Sequence, residues 1–447
     1  MRHAKGRRSM LTRSILILCC TFLSGPAGAG ILDDLIHAEG APEILDRVHI
    51  SGYANAHYMN HLGVARLVTD DKKLEDLNDG FVQLREFSFF IDIGVFDYLT
   101  VSSEIEFADD FSEVGANYLY GDLALSELLP FWDEDELRQL TLRGGKFLVP
   151  FLSYNENKPN FKQYLMSQPF TAWNVVPVIG TPIATSSFGW SDTGFLFNFA
   201  RSISSFGIID FKVAMINGIE SNAAVLDSNA IVIDAGMMTP TVRPRDGLMQ
   251  NKGPSWKANR NGELAAVGKV SFMTNCFPLD VGFSFYSGKW DPDGKRGLFM
   301  YGFHANWISR NWTLRGEWVQ AQVEQVAGTN LYGMPASINM STGDYNMEAW
   351  YLEGSIIPCR FGPGDKLYVR LIGRYDEVNT NNKALFTPFH RRRWTLGSEF
   401  EFFSNARLRF EWQHHRIVNF KEAPGPYLAA GGKRAVQMLM GSVIYSF

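Results

Sequence analysis

The chain closes with Arg434–Phe447, RAVQMLMGSVIYSF. Counting back by twos gives Phe447, Tyr445, Val443, Gly441 and Leu439; between them lie Ser446, Ile444, Ser442 and Met440. This is a period-2 strand, and one face ends in two aromatic rings at the terminus. The last strand of a soluble β-sandwich fits the alternation. The closing strand of a transmembrane β-barrel also fits, and it accounts for the terminal aromatic, because it must pair with the first strand and its lipid face ends in an aromatic girdle.

The other end agrees with a secreted barrel. Arg2, Lys5, Arg7, Arg8 and Arg13 form a positive region, Ile15–Leu23 an apolar core too short to span a bilayer as a helix, and Pro26-Ala27-Gly28-Ala29 a small-residue cleavage site. Residues 1–29 read as a signal peptide and 30–45 as a short periplasmic segment. Leu18 precedes Cys19, so no lipid anchor is expected. The 42 Lys+Arg fall to 37 without the five leader cations, against 47 Asp+Glu, a net charge of −10 that argues against nucleic acid as a partner. Aromatics reach 14%, as aromatic-ended strands would require. Beyond the leader no run of eighteen apolar residues occurs. Only Cys276 and Cys359 follow the leader, in turns four strands apart, and no disulfide is expected.

About sixteen segments have the length of a tilted membrane strand: 46–58, 81–95, 98–108, 116–127, 137–148, 191–202, 206–217, 263–273, 278–289, 297–308, 311–324, 346–357, 366–378, 390–403, 405–418 and 434–447. Connections after even-numbered strands are mostly short and those after odd-numbered strands often long, notably 59–80, 149–190, 218–262, 325–345 and 419–433. Periplasmic turns alternating with extracellular loops give this sorting; a sandwich has no reason to. The faces sort too. In 390–403, Trp394, Leu396, Phe400 and Phe402 oppose Arg391, Arg393, Thr395, Glu399 and Glu401; in 405–418, Leu408, Phe410 and Trp412 oppose Arg407, Arg409, Glu411, Gln413 and His415. So many charges on one face must meet water, and the other face suits lipid. The expected fold is all-β, an antiparallel transmembrane barrel over 46–447 in the bacterial outer membrane, wide enough for an aqueous channel.

Leu142-Arg143-Gly144-Gly145-Lys146-Phe147-Leu148-Val149-Pro150-Phe151 resembles the R-x-G-x-(F/Y)-x-x-P-F stretch of the phosphate-selective porin O/P family. Val82–Phe87 is similar to that family's early Leu-Arg-Arg strand, with Glu86 where a second Arg is common. Trp190–Gly194 resembles its Arg-Asp-x-Gly strand start, with Trp for the first Arg. The likeness covers mainly residues 80–200 and the final strand. It implies a sixteen-stranded barrel, usually trimeric, with a long third loop folded into the lumen; here that loop is 149–190. Trp173, Pro177, Pro182, Phe161, Tyr164 and Phe170 make it too apolar for a solvated flap, so inward folding is expected. The end of the chain resembles the C-terminal signal of outer-membrane proteins, which implies recognition of Tyr445 and Phe447 by the assembly machinery.

Inside the barrel, Arg370, Arg374, Arg391, Arg393, Arg407 and Arg409 form a candidate basic wall, and Glu86, Asp92, Glu104, Glu106 and Asp122 an acidic one. Opposed walls would set a transverse field across a constriction, and the guanidinium planes would suit carboxylate or phosphate. Alternatively, Glu353, Glu399, Glu401 and Glu411 neutralise the arginines in place. Glu86, Trp190 and the acidic total weigh against phosphate specificity. His49 and His57, eight residues apart on one face, are too distant to chelate one ion, and His414 and His415 point to opposite faces. Asp291-Pro-Asp-Gly294 lacks the remaining ligands of a calcium loop and reads as a tight turn. No cofactor or metal is expected.

The leading function is a passive porin for small polar or charged solutes, in contact with membrane lipid. A barrel enzyme would need a Ser/His or Asp/His pair on its outer face or rim, and none is placed there. A sheath for a partner such as an electron-transfer cytochrome requires loop 149–190 to fold outward. With no C-x-x-C-H motif, any haem would belong to the partner. A structural, adhesin-like barrel is the weakest alternative.

Overall fold

The computed structural model describes residues 47–62, 81–108, 113–128, 137–157, 163–173, 190–203, 205–219, 262–291, 294–324, 344–362, 367–379, 382, 390–403, 405–417 and 435–447. Residues 1–29, expected as a signal peptide, segment 30–45 and most of the long loops lie outside these residues. Sixteen strands follow one another: β1 Val48–Leu62, β2 Phe81–Phe96, β3 Leu99–Ala108, β4 Glu113–Ala124, β5 Leu137–Leu148, β6 Ser191–Ile203, β7 Gly207–Ile216, β8 Ala265–Thr274, β9 Leu279–Lys289, β10 Gly297–Ile308, β11 Trp312–Val323, β12 Tyr345–Phe361, β13 Leu367–Asn379, β14 His390–Phe403, β15 Ala406–Ile417 and β16 Ala435–Ser446. Each pairs antiparallel with its neighbours and β1 pairs with β16, so the sheet is a closed barrel.

Closure depends on the opening stretch of the sequence reading. Gly52 and Phe447 exchange both backbone hydrogen bonds, at 3.1 and 3.0 Å. The Phe447 ring lies 6.1 Å from that of Phe87 and 5.9 Å from that of Phe89. A Cβ on Gly52 would sit 2.6 Å from the Phe447 ring and 2.4 Å from the Ser88 carbonyl, so only glycine fits here.

The outer face is apolar and exposed: Phe195, Phe211, Phe303, Leu314, Leu352, Trp394, Leu396, Phe410 and Val443 all stand there. Aromatic clusters mark both rims. Trp307 stacks on Phe277 and Trp312 beside the short turns, and Tyr375 packs against Trp350 and Trp394 beside the long loops. No water-facing surface would carry such a belt, whereas an outer-membrane barrel requires one.

The inner face is less uniformly polar than the alternation suggests. Toward the long-loop end, Ala265, Val267, Tyr286, Leu298, Met300, Val319, Ala321, Tyr345, Met347 and Ala349 are buried inside. They pack with Phe147, Val149, Phe151, Leu152 and Phe170 at and beyond the end of β5, forming an apolar core within the barrel. The expectation of a polar inner face is therefore corrected at the long-loop end of β8–β12: there both faces are apolar, one meeting lipid and the other the docked chain after β5, while Lys269, His304, Glu317 and Glu353 keep the rest of that inner face polar. Gly294 N–H donates to the Asp291 carbonyl at 3.1 Å and Gly294 adopts φ +65°; residues 292 and 293 of the expected turn lie outside the described residues. Cys276 and Cys359 are both exposed and free.

Candidate functional site

The described parts of 149–190 lie against the inner wall from β7 to β15. The contacts start at its base. Leu152 N–H donates to Ser284 Oγ at 3.0 Å, and the Lys269 ammonium donates to the Leu152 carbonyl at 2.9 Å. Leu152 itself adopts φ +58°, a conformation L-residues rarely take, and its side chain is buried. Glu317 is the next anchor: it accepts from the backbone of Ser153 at 2.9 Å and Tyr154 at 2.6 Å, and from Thr171 Oγ1 at 2.8 Å. Two points of the segment separated by some eighteen residues of chain thus meet one carboxylate.

Glu156 reaches Lys212 and Lys269. Burial alone would raise its carboxyl, but the two ammonium groups pull it down to about 2. Burial pushes the nearby Tyr154 hydroxyl up.

The arginines hold the second half of the same segment. Arg374 bonds Asp376 at 2.9 Å and lies 3.5 Å from Glu353, and it donates to the Ser167 carbonyl at 2.8 Å, to Ser167 Oγ at 2.6 Å and to the Gln168 carbonyl at 3.3 Å. Arg393 bonds Asp376 at 3.1 Å, reaches the Gln168 carbonyl and lies under the Phe170 ring at 4.5 Å. Arg409 pairs with Glu399 at 2.9 Å and donates to the Gln163 carbonyl. Arg370 sits 3.6 Å from Glu399 and stacks on Tyr164 at 3.9 Å. Arg391 lies 5.5 Å from the Phe170 ring, and Arg407 pairs with Glu401 at 3.1 Å.

Five of the six arginines lie within 3.6 Å of a carboxylate, and two carboxylates act otherwise than the neutralised alternative expects. Asp376 carries Arg374 and Arg393, and Glu411 serves the loop, accepting from the backbone of Met166 at 2.7 Å and Ser167 at 3.1 Å. Among the described residues the six guanidinium groups do not form an open basic face. Five of them pack against the docked segment.

The acidic set divides. Glu86, Glu104 and Glu106 converge, each offering an oxygen within 4.8 Å of the others. Asp122 stands apart, held by Arg143 through two bonds of 2.7 Å, while Arg143 lies 3.7 Å from the Tyr120 ring centroid. Asp92 lies six residues along β2 from Glu86 and stands diagonally across the β2–β3 ladder from Glu104, but it is not one of the three that converge. Tyr53 donates to Glu86 and Asn117 to Glu106.

Sequence reasoning missed Glu317, Asp376, Lys212 and Lys269. Each is a charged residue on an inner face, but only the path of the loop reveals its role. His57, His304 and His415 are buried on separate strands.

At the level of sequence, no family model matches the chain and no curated relative is found. Solved structures do align with it. An anion-selective porin from Comamonas acidovorans is 12% identical, with TM-score 0.50 over 90% of this chain and 99% of that one. The outer-membrane channel DcaP of Acinetobacter baumannii is 10% identical, with TM-score 0.48 over 90% of this chain and 97% of that one. Salmonella typhi OmpF, in a complex with daunomycin, is 12% identical, with TM-score 0.46 over 90% and 97%. At such identities the likeness is one of fold: this chain is built like outer-membrane porins.

Proposed function

We propose that the protein is a passive outer-membrane channel for small polar solutes, narrowed by segment 149–190, and that its arginine wall holds that segment rather than selecting anions. The observation that carries this reading is the set of contacts from Arg374, Arg393 and Arg409 to the carbonyls of Ser167, Gln168 and Gln163. A guanidinium committed to a carboxylate and a backbone carbonyl has little left to offer a passing anion.

Three further points belong to the same reading. The motif around Arg143–Phe151 supports kinship with the phosphate-selective porin O/P family in architecture, without its ligand. That kinship also favours a homotrimer, and assembly through Tyr445 and Phe447. The inward placement of residues 149–157 and 163–173 favours a channel over a sheath, because a partner threaded through the barrel would have to displace them.

The test is conductance of the purified, folded protein in a planar bilayer. A stable open conductance supports the channel; correctly folded protein that never conducts would move the sheath reading to first place.

A further inference from the structure

We propose that Glu86, Glu104 and Glu106 bind a hard divalent cation of the calcium type inside the barrel wall. Glu86 comes from β2 and the other two from β3, the neighbouring strand. All three are buried, with exposures of 1%, 4% and 0%. Carboxylates brought this close and shielded from water repel one another unless a proton or a cation lies between them.

Neighbouring groups point to a cation. Glu106 accepts from Asn117 through Oε2, while its Oε1 is buried without a hydrogen-bond partner. Two side chains outside the carboxylate cluster repeat the pattern. Ser88, 0% exposed, stands directly opposite Glu106 across the β2–β3 ladder, and its Oγ has no partner. Asn55, 1% exposed, stands directly opposite Glu86 across β1–β2, and its Oδ1 has none either. Directly opposite residues share a face, with Cβ atoms about 5 Å apart, so both side chains project to the carboxylate cluster. A buried polar atom without a partner calls for a water or an ion to satisfy it, and beside three converging carboxylates a cation does so while relieving their repulsion.

Every candidate donor is oxygen: three carboxylates, a hydroxyl and an amide carbonyl. An all-oxygen set with several anionic members suits Ca²⁺, which takes about 6–8 oxygens in flexible geometry; zinc and copper want nitrogen or sulfur. The Tyr53 hydroxyl on Glu86 and the Asn117 amide on Glu106 would fix the ligands from behind. The bound ion would clamp β2 to β3 and cancel part of the negative charge on this wall. The site does not depend on whether the barrel conducts.

The experiment uses the full-length folded barrel in detergent, stripped with chelator and titrated with CaCl2 and then MgCl2 in a calorimeter. The expected result is saturable binding of one Ca²⁺ per chain, with Mg²⁺ weaker. Glu104→Gln and Glu106→Gln, checked for folding by heat-modifiable gel migration, should each weaken it by about tenfold or more. If those variants fail to fold, Tb³⁺ replaces Ca²⁺ in the wild type: emission excited through tyrosine should appear, be displaced by Ca²⁺, and fall in Tyr53→Phe. Absence of saturable binding to the folded wild type would overturn the proposal and leave shared protons as the explanation. So would binding unchanged in the glutamine variants, or Tb³⁺ emission insensitive to Tyr53→Phe.

Discussion

Arg374 grips Ser167 twice, at its carbonyl oxygen (2.8 Å) and at its hydroxyl (2.6 Å), across 207 residues of chain. The same guanidinium is held by Asp376 and faces Glu353. Wall, carboxylates and docked segment thus share one buried network, in which removing a member strands the others.

Arg374→Ala should therefore release the segment near Ser167 and leave Asp376 and Glu353 short of a cation. The cost to the docked state is about 3–5 kcal/mol, the usual penalty for breaking a buried ion pair. Single-channel recording should show larger and noisier conductance with the barrel intact by circular dichroism. An unchanged trace would mean that the segment is held elsewhere.

Leu152 sets two effects against each other. Its side chain is buried in the inner apolar core, yet its φ of +58° favours glycine. Leu152→Ala loses the packing and keeps the strain, at about 2–5 kcal/mol. Leu152→Gly loses similar packing but recovers about 1 kcal/mol of backbone strain. The glycine variant should therefore be no less stable than the alanine variant in urea titration, against the usual order of the two residues.

The Glu156 anchor should weaken in acid. Its folded-state value of about 2 lies below the ordinary 4.5. A carboxyl lowered on folding contributes fully above its unfolded value and loses that contribution as pH falls through its folded one. Protease sensitivity of the segment should rise between about pH 4.5 and 2, and Glu156→Gln should flatten the change while raising sensitivity at neutral pH.

Gly52→Val should impair closure, because the new side chain has no room beside Phe447 and the Ser88 carbonyl. Yield of heat-modifiable barrel on refolding should drop sharply, whereas Gly115→Val, where a Cβ would meet nothing within 4 Å, should refold as wild type.

Strands and topology were readable because lipid on one side and charge on the other enforce period 2. The segments 137–148, 297–308 and 390–403 coincide with β5, β10 and β14, and the other boundaries shift by a few residues. The inner apolar core was not readable. In β10, Leu298 and Met300 share the inner face with His304, but they read as a continuous apolar run beside Phe299 and Tyr301. Inner-face membership of the arginines followed from alternation; their employment did not, since it depends on where Gln163, Ser167 and Gln168 come to rest after a long excursion of the chain. The Glu106–Asn117 contact was hidden by a bulge in β4, where Asn117 is the unpaired residue between Ala116 and Tyr118.

The most direct test of the account is the reversal potential of the folded protein in a planar bilayer under a KCl gradient. With its arginines committed to carboxylates and to the docked segment, the channel should conduct without anion preference. A marked anion preference, weakened by Arg393→Ala and Arg409→Ala, would contradict the account and restore the arginines as an open selectivity wall.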